Sequence, residues 1–176
     1  MRRFLACLIL VLPLTLASQS AQADGSVAVG LGVGVVKAED SDESPLWLTG
    51  NLRFAVSDNF VLEPEAGWYR HSESFLGADI NLDVINLGGS GLFLIPTEKV
   101  DAFAGGGAGA HIFNVSGGGS GDSHTEFGFH FLGGLDLKVS ETLKLFGAAR
   151  YEIVQFEGED LKQWKFYAGV RFGGSD

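Results

Sequence analysis

Three short strings in this chain have the residue types of catalytic or cofactor sites, and each lacks the spacing its chemistry requires. His71-Ser72-Glu73 holds a base, a hydroxyl and a carboxylate. Triad members are brought together by folding, however, and adjacent residues do not place a base on a nucleophile. Gly105 to Ala110 formally fits the glycine fingerprint for dinucleotides, yet no helix start follows to receive a pyrophosphate. The histidines at 71, 111, 124 and 130 share no zinc-ligand spacing and read as loop or lumen residues. The expectation is a chain with no catalytic, cofactor-binding or metal-ligating residues.

Carboxylates cluster at Glu39, Asp40, Asp42 and Glu43, around His71, Glu73 and Asp79, and at Glu157, Glu159 and Asp160. Such groups suit calcium or magnesium, but their order matches no calcium-loop pattern, so they read as solvated acidic loops. A second set of charges is more regular. Arg53, Glu63, Glu65, Asp136, Arg150, Glu152, Lys165 and Arg171 each stand in an alternation of polar and apolar residues. Their shared placement depends on the strands that carry them.

The first 23 residues precede those strands and read as a targeting segment. Arg2 and Arg3 form a basic start, Phe4 to Ala17 is apolar apart from breaks such as Pro13, and Ala21-Gln22-Ala23 supplies a small-x-small cleavage pattern. The single cysteine, Cys7, falls inside this segment, so the expected mature chain has no disulfide, thiol nucleophile or thiolate metal site. Without Arg2 and Arg3, 10 basic residues face 22 acidic ones, a formal net charge of −12. That balance excludes a nucleic-acid partner, which needs clustered Lys and Arg. No later segment offers ~20 consecutive apolar residues, so no membrane helix is expected. The remaining 153 residues suit one domain, and 26 glycines against four prolines in the full sequence favour tightly turned extended structure.

Period-2 alternation recurs eight times. Strand one pairs bulky Val27, Val29, Leu31, Val33 and Val35 with small Ala28, Gly30, Gly32 and Gly34. Strands two and three flank Ser57-Asp58-Asn59, with Leu46 to Val56 before it and Phe60 to Tyr69 after it. Pro64 lacks a ladder donor and marks a bulge or weak point. In strand four Ile80, Leu82 and Val84 alternate with Asp79, Asn81 and Asp83, and the break at Ile85 and Leu87 suggests a bulge near Asn86. Strand five spans about Asp101 to Phe113, strand six Phe127 to Val139, and strand seven Leu143 to Ile153. In strand eight Trp164, Phe166, Ala168, Val170 and Phe172 alternate with Lys165, Tyr167, Gly169 and Arg171.

Connections after strands two, four and six are short, and those after one, three, five and seven are longer, including a mobile glycine-rich loop from Val115 to Thr125. In an up-and-down barrel this alternation puts every long loop at one rim, as in barrels with long extracellular loops. The alternative is a soluble barrel with its apolar face inside. Side-chain size decides against it: Gly and Ala on the polar faces suit a narrow interior, whereas Trp68, Trp164 and the many Phe and Leu residues would crowd one. Phe54, Phe60 and Phe172 near one rim, with Trp68, Phe127, Tyr151 and Trp164 near the other, fit two interfacial girdles. The expected fold is all-β, an eight-stranded antiparallel up-and-down transmembrane β-barrel.

From Asp24 to Phe172 the chain resembles the small eight-stranded outer-membrane barrel family that includes OmpX and the OmpA transmembrane domain. Phe127-Gly128-Phe129 through Leu145-Phe146-Gly147, and Trp164 to Phe172, carry most of the likeness. The resemblance implies the outer membrane of a Gram-negative bacterium. It also implies partners in outer-membrane lipid, lipopolysaccharide and the assembly machinery, with Trp164, Phe166, Ala168, Val170 and Phe172 as the assembly signal. Residues 173–176 depart from it, since the family commonly stops at the aromatic.

With Ser57 to Asn59 as a three-residue connection, Val56 faces Phe60, Arg53 faces Glu63 and Asn51 faces Glu65. The other lumenal charges, with Asp83 as a further candidate, extend that pair into a network, because charges held away from water need partners. Lys138 falls opposite Lys144, a repulsive pair unless both reach the periplasmic mouth. The favoured function is a structural or surface-interaction barrel plugged by these side chains. A low-conductance channel is the first alternative. The second is a lipid-modifying enzyme, since some barrel enzymes acting on lipid A use His and Ser.

Overall fold

The computed structural model describes residues 27–39, 41–75, 78–117 and 120–173. The targeting segment at 1–23 and residues 174–176 lie outside them. Eight strands form one closed antiparallel barrel in which each pairs with its chain neighbours: β1 (Val27–Ala38), β2 (Leu46–Ser57), β3 (Phe60–Phe75), β4 (Ala78–Ile95), β5 (Val100–Gly117), β6 (Ser120–Ser140), β7 (Leu143–Gln155) and β8 (Leu161–Gly173). β1 pairs with β8 from Ala28↔Gly173 to Ala38↔Gln163, so the sheet has no edge within the wall. Closure satisfies the backbone groups that lipid cannot.

Facing follows residue size and polarity. Val27, Val29, Leu31, Val33 and Val35 are exposed on the outer surface of β1, while Ala28 and Val36 are buried inside. On β6, Phe127, Phe129 and Phe131 are 61%, 54% and 68% exposed, whereas the intervening His130 is buried. A soluble barrel would reverse these faces. The inside holds two apolar groups, one around Trp47, Tyr69, Phe113, Phe146 and Tyr167 and the other of Val61, Leu92, Phe103 and Leu132.

The turns depart from the sequence reading in a repeated way. Ser57, not Val56, pairs with Phe60, and the register shifts between Ala55 and Ser57. The shift leaves Phe54 opposite Leu62, so the interior register survives. β6 and β7 repeat the arrangement, with Ser140 opposite Leu143, a shift at Val139, and Lys138 opposite Lys144. In both hairpins one extra residue reconciles a tight turn with the facing of its strands.

β4 has no bulge near Asn86, because its pairing with β3 and β5 is continuous through that position. The break in alternation is a change in which face carries the apolar residues: Val84 and Leu92 are buried in the lumen, while Ile85, Leu87 and Phe93 face outward. Asp83 therefore belongs to the outer surface and not to the lumen. Pro64 pairs with Gly89 within an unbroken β3–β4 ladder. On its other side the β2–β3 ladder is interrupted at Leu52 and Arg53, where the missing Pro64 donor would fall.

The second and third long connections are mostly strand. β3 and β4 pair up to Phe75↔Ala78, and β5 and β6 up to Gly117↔Ser120. These four strands have 16, 18, 18 and 21 residues, against 12 or 13 in the other four. A four-stranded sheet thus rises above the long-loop rim on one side of the barrel. The expected mobile loop from Val115 to Thr125 is largely the tip of that sheet.

Candidate functional site: the lumenal charge cluster

Inward positions of a narrow barrel are surrounded by other side chains, so each charge must find its partner across the lumen. Toward the short-turn rim, Arg53 on β2 and Arg171 on β8 share Glu63 on β3 and Asp136 on β6. Arg53 Nε donates to Glu63 Oε2 at 2.7 Å, and its NH1 donates to Asp136 Oδ2 at 2.5 Å. Arg171 donates from NH1 to Asp136 Oδ1 and from NH2 to Glu63 Oε2, the latter at 3.2 Å. The result is a ring of alternating sign, each member at most 6% exposed. The Arg53 guanidinium lies over the Phe103 ring at 4.8 Å and that of Arg171 over Phe146 at 4.7 Å. Both guanidinium groups of the ring are thus backed by aromatic faces.

Below this ring the Lys138 and Lys144 pair finds a carboxylate that sequence reasoning had not assigned. Asp101, buried on β5, accepts from Lys144 Nζ at 3.1 Å and lies 3.3 Å from Lys138 Nζ. Lys138 also donates to the Thr97 carbonyl at 3.0 Å. The repulsion expected between the two lysines is relieved by a bridging anion.

Toward the long-hairpin rim, Arg150 on β7 reaches across the lumen to both carboxylate oxygens of Glu65 on β3. Asn51 is opposite Glu65 in the ladder, but its side-chain amide has no hydrogen-bond partner, because Glu65 turns to Arg150. Lys165 lies 2.6 Å from Glu152 Oε2, which also accepts from Gln163 Nε2 at 2.6 Å. The ammonium lies over Trp47 at 4.9 Å, and Trp47 meets Tyr167 edge-on at 4.7 Å. Here too the charges are backed by aromatic faces.

All eight charges named from the sequence are buried in the interior, in two sets: Arg53, Glu63, Asp136 and Arg171 in the ring, and Glu65, Arg150, Glu152 and Lys165 above it. Four cations balance four anions. Sequence reasoning missed Asp101, Asn86, Ser90 and Gln163, of which Asn86 and Ser90 stand in a run that reads as glycine-rich and apolar. The alternation of β4 with its neighbours was the signal that could have placed Asn86 and Ser90.

Two buried histidines lie beside the upper set, with His130 opposite Glu152 in the β6–β7 ladder. His111 Nδ1 is 2.6 Å from Asn86 Nδ2, its Nε2 is 3.5 Å from Glu152 Oε1, and His130 Nε2 is 2.7 Å from Ser90 Oγ. The last distance is that of a nucleophile and its base. Beside them the cavity bordered by Asn86, His111, His130 and Arg150 has room for roughly a single water molecule. A lipid or peptide substrate has no place there. His71 and Ser72 point to opposite faces of β3: His71 Nδ1 is 3.1 Å from Glu43, and Ser72 Oγ donates to Asn81 at 2.7 Å. Glu73 keeps no described side chain, so its part in that string lies outside the described residues.

Trp164, Phe166, Ala168, Val170 and Phe172 form the outer face of β8, and Trp164, Phe166 and Phe172 are 41%, 48% and 50% exposed. The strand continues one residue beyond Phe172. Gly173 donates its N–H to the Thr142 carbonyl at 3.0 Å.

Residues 6–172 match the family model described as the outer membrane protein beta-barrel domain. Among solved structures, the Neisserial surface protein A, NspA, aligns at a TM-score of 0.66 and 16% identity, over 85% of this chain and 97% of that one. Ail, the attachment invasion locus protein of Yersinia pestis, solved with the heparin analogue sucrose octasulfate, aligns at 0.55 and 18%, over 84% and 97%. The outer membrane enzyme PagL aligns at 0.52 and 11%, over 82% and 97%. At these identities the likeness is one of fold. The search of curated proteins found no match.

Proposed function

This chain belongs to the outer-membrane protein β-barrel family of Gram-negative bacteria, and from that premise we propose that it is a structural or surface-interaction barrel whose lumen is closed by its own side chains. The observation that carries this reading is the ring of Arg53, Glu63, Arg171 and Asp136, every member buried and paired. A conducting path would need those charges to face water. The sheet raised by β3 to β6 supports the surface-interaction part, because it extends well beyond what is needed to span a membrane. Its partner is not a polyanion like the one bound by Ail. The long-hairpin side of this chain carries Glu39, Glu43, Asp122, Glu126, Glu157, Glu159 and Asp160.

Enzymes share this fold, and the PagL likeness is of that kind. The only close Ser–His pair among the described residues, Ser90 and His130, is enclosed in the lumen. We therefore read the chain as non-enzymatic. The test is planar-bilayer recording of the full chain refolded in detergent, with heat-dependent gel migration to certify folding. The expected result is a silent bilayer. A steady conductance whose ion selectivity changes in Glu63→Gln would establish the channel in place of the plug.

A further inference from the structure

Aligned glycines open a recess in the lumen wall. Gly88 on β4, Gly109 on β5 and Gly128 on β6 are successive ladder partners. By alternation they share the inward face with the buried Asn86, His111 and His130. The two histidine rings cover part of this floor and of its continuation at Gly107. His111 Nε2 is 2.9 Å from where a Cβ of Gly128 would stand, and His130 Nε2 is 2.8 Å from where one of Gly107 would stand. Gly88 and Gly109 keep the rest of the floor, and the cavity described above is the space they leave.

Two residues bordering that cavity have incomplete hydrogen bonding. Asn86 is 4% exposed and Arg150 1%, yet Asn86 Oδ1 and Arg150 Nε have no partner among the described residues. The first is an acceptor and the second a donor. The rest of each side chain is committed: Asn86 Nδ2 is 2.6 Å from His111 Nδ1, and Arg150 NH1 and NH2 go to Glu65. An amide nitrogen only donates, so His111 Nδ1 accepts and the ring proton sits on Nε2, 3.5 Å from Glu152 Oε1. With the amide nitrogen turned to the ring, its oxygen is left to accept from something else.

We infer that the recess is a binding site for one water molecule, which accepts from Arg150 Nε–H and donates to Asn86 Oδ1. The cavity admits a ligand of roughly that size. An orphaned donor beside an orphaned acceptor calls for a ligand that can serve both. An alkali cation would face the Arg150 N–H, and a halide would face the Asn86 carbonyl oxygen, each with the wrong polarity. Charge calls for neither ion, because Arg150 and Lys165 already balance Glu65 and Glu152 there. The second water proton has acceptors in Glu65 and Glu152, which border the same cavity. With this water bound, the guanidinium that crosses the lumen donates from all three of its nitrogens. The site does not rest on the lumen being closed to ions.

The test is NMR on the full chain, labelled with nitrogen-15 and refolded in deuterated detergent. Rotating-frame spectra separate dipolar transfer from proton exchange by sign. The expected result is a dipolar cross-peak from water to the Arg150 Nε proton, together with histidine nitrogen shifts that place the His111 proton on Nε2. In Asn86→Leu, certified as folded by heat-dependent migration, the water cross-peak should vanish. If that variant does not fold, the two wild-type readings decide. Absence of the cross-peak in folded wild type, or its survival undiminished in Asn86→Leu, would overturn the site. So would a His111 proton on Nδ1, because the Asn86 oxygen would then turn to the ring and leave no acceptor for water. A bromide-dependent shift of the Arg150 Nε resonance would assign the cavity to an anion instead. A silent bilayer without the cross-peak rejects the water site alone, and a conducting one with it rejects the plug alone.

Discussion

A buried ion pair is costly to form and more costly to leave half made, and Glu65 with Arg150 shows both sides. Their side chains are 3% and 1% exposed and meet in a two-point contact across the lumen. Glu65→Gln keeps the shape and strands the guanidinium, with an expected loss of about 3 to 5 kcal/mol. Glu65→Leu/Arg150→Met should lose less than the sum of the single changes, as measured by urea unfolding in detergent. A fully additive double variant would show that the two groups do not act as a pair. Asp83 tests the same chemistry outside the membrane. The Arg70 hydrogen bonds hold its carboxyl below the usual carboxylate range, with a smaller contribution from the Trp68 indole N–H. Because the folded-state value is depressed, the stabilisation is present above the unfolded-state value and is lost as pH falls through the folded one. A carbon NMR titration should show Asp83 titrating at lower pH than in Arg70→Gln, and identical midpoints would remove the effect.

At the scale of elements, the strands were legible in the sequence wherever one face was bulky and the other small or polar, as in β1, β6 and β8. β4 was not, because Val84 and Leu92 fill the lumen while Ile85, Leu87 and Phe93 face lipid. An apolar residue on each side of a wall erases the alternation that marks a facing. The tips of β3 to β6 were read as loops because no sustained apolar alternation marks them in the sequence. Asp101 was missed since its role is defined only by two lysines from other strands. The β5–β6 tip should accordingly be dispensable: replacing residues 115–122 with Asn-Gly is expected to leave the thermal midpoint and heat-dependent migration of the barrel unchanged. A large drop in midpoint would mean that the raised sheet stabilises the wall. The end of β8 should behave in the opposite way. Gly173 has a φ of +85°, and a Cβ there would lie 2.6 Å from the Val27 carbonyl oxygen at the closing seam. Gly173→Val is expected to destabilise the barrel by roughly 1 to 3 kcal/mol, read as a lower folded fraction on gels, and wild-type behaviour would refute the constraint.

For the molecule as a whole, closure of the wall and closure of the lumen are separate achievements. The wall closes through backbone pairing and would do so around many interiors, whereas the lumen is filled by side chains, among them the four charges from β2, β3, β6 and β8 that meet in one ring. Apolar side chains also occupy this level, with Val61, Leu92, Phe103 and Leu132 packed together. The two possible seals make different predictions. In Arg53→Ala/Arg171→Ala, Glu63 and Asp136 lose their cations and the volume of two guanidinium groups is vacated. If the ionic ring is the seal, water enters in place of the guanidinium groups, and the lumen is lined by two carboxylates without their cations. Such a variant should conduct weakly and favour cations, so that in a potassium chloride gradient the reversal potential moves toward that of potassium. Adding Glu63→Gln/Asp136→Asn should abolish the preference while retaining the conductance. A folded double-alanine variant that stays silent would instead assign the seal to Phe103, Leu132 and their neighbours, leaving the ring to stabilise the barrel.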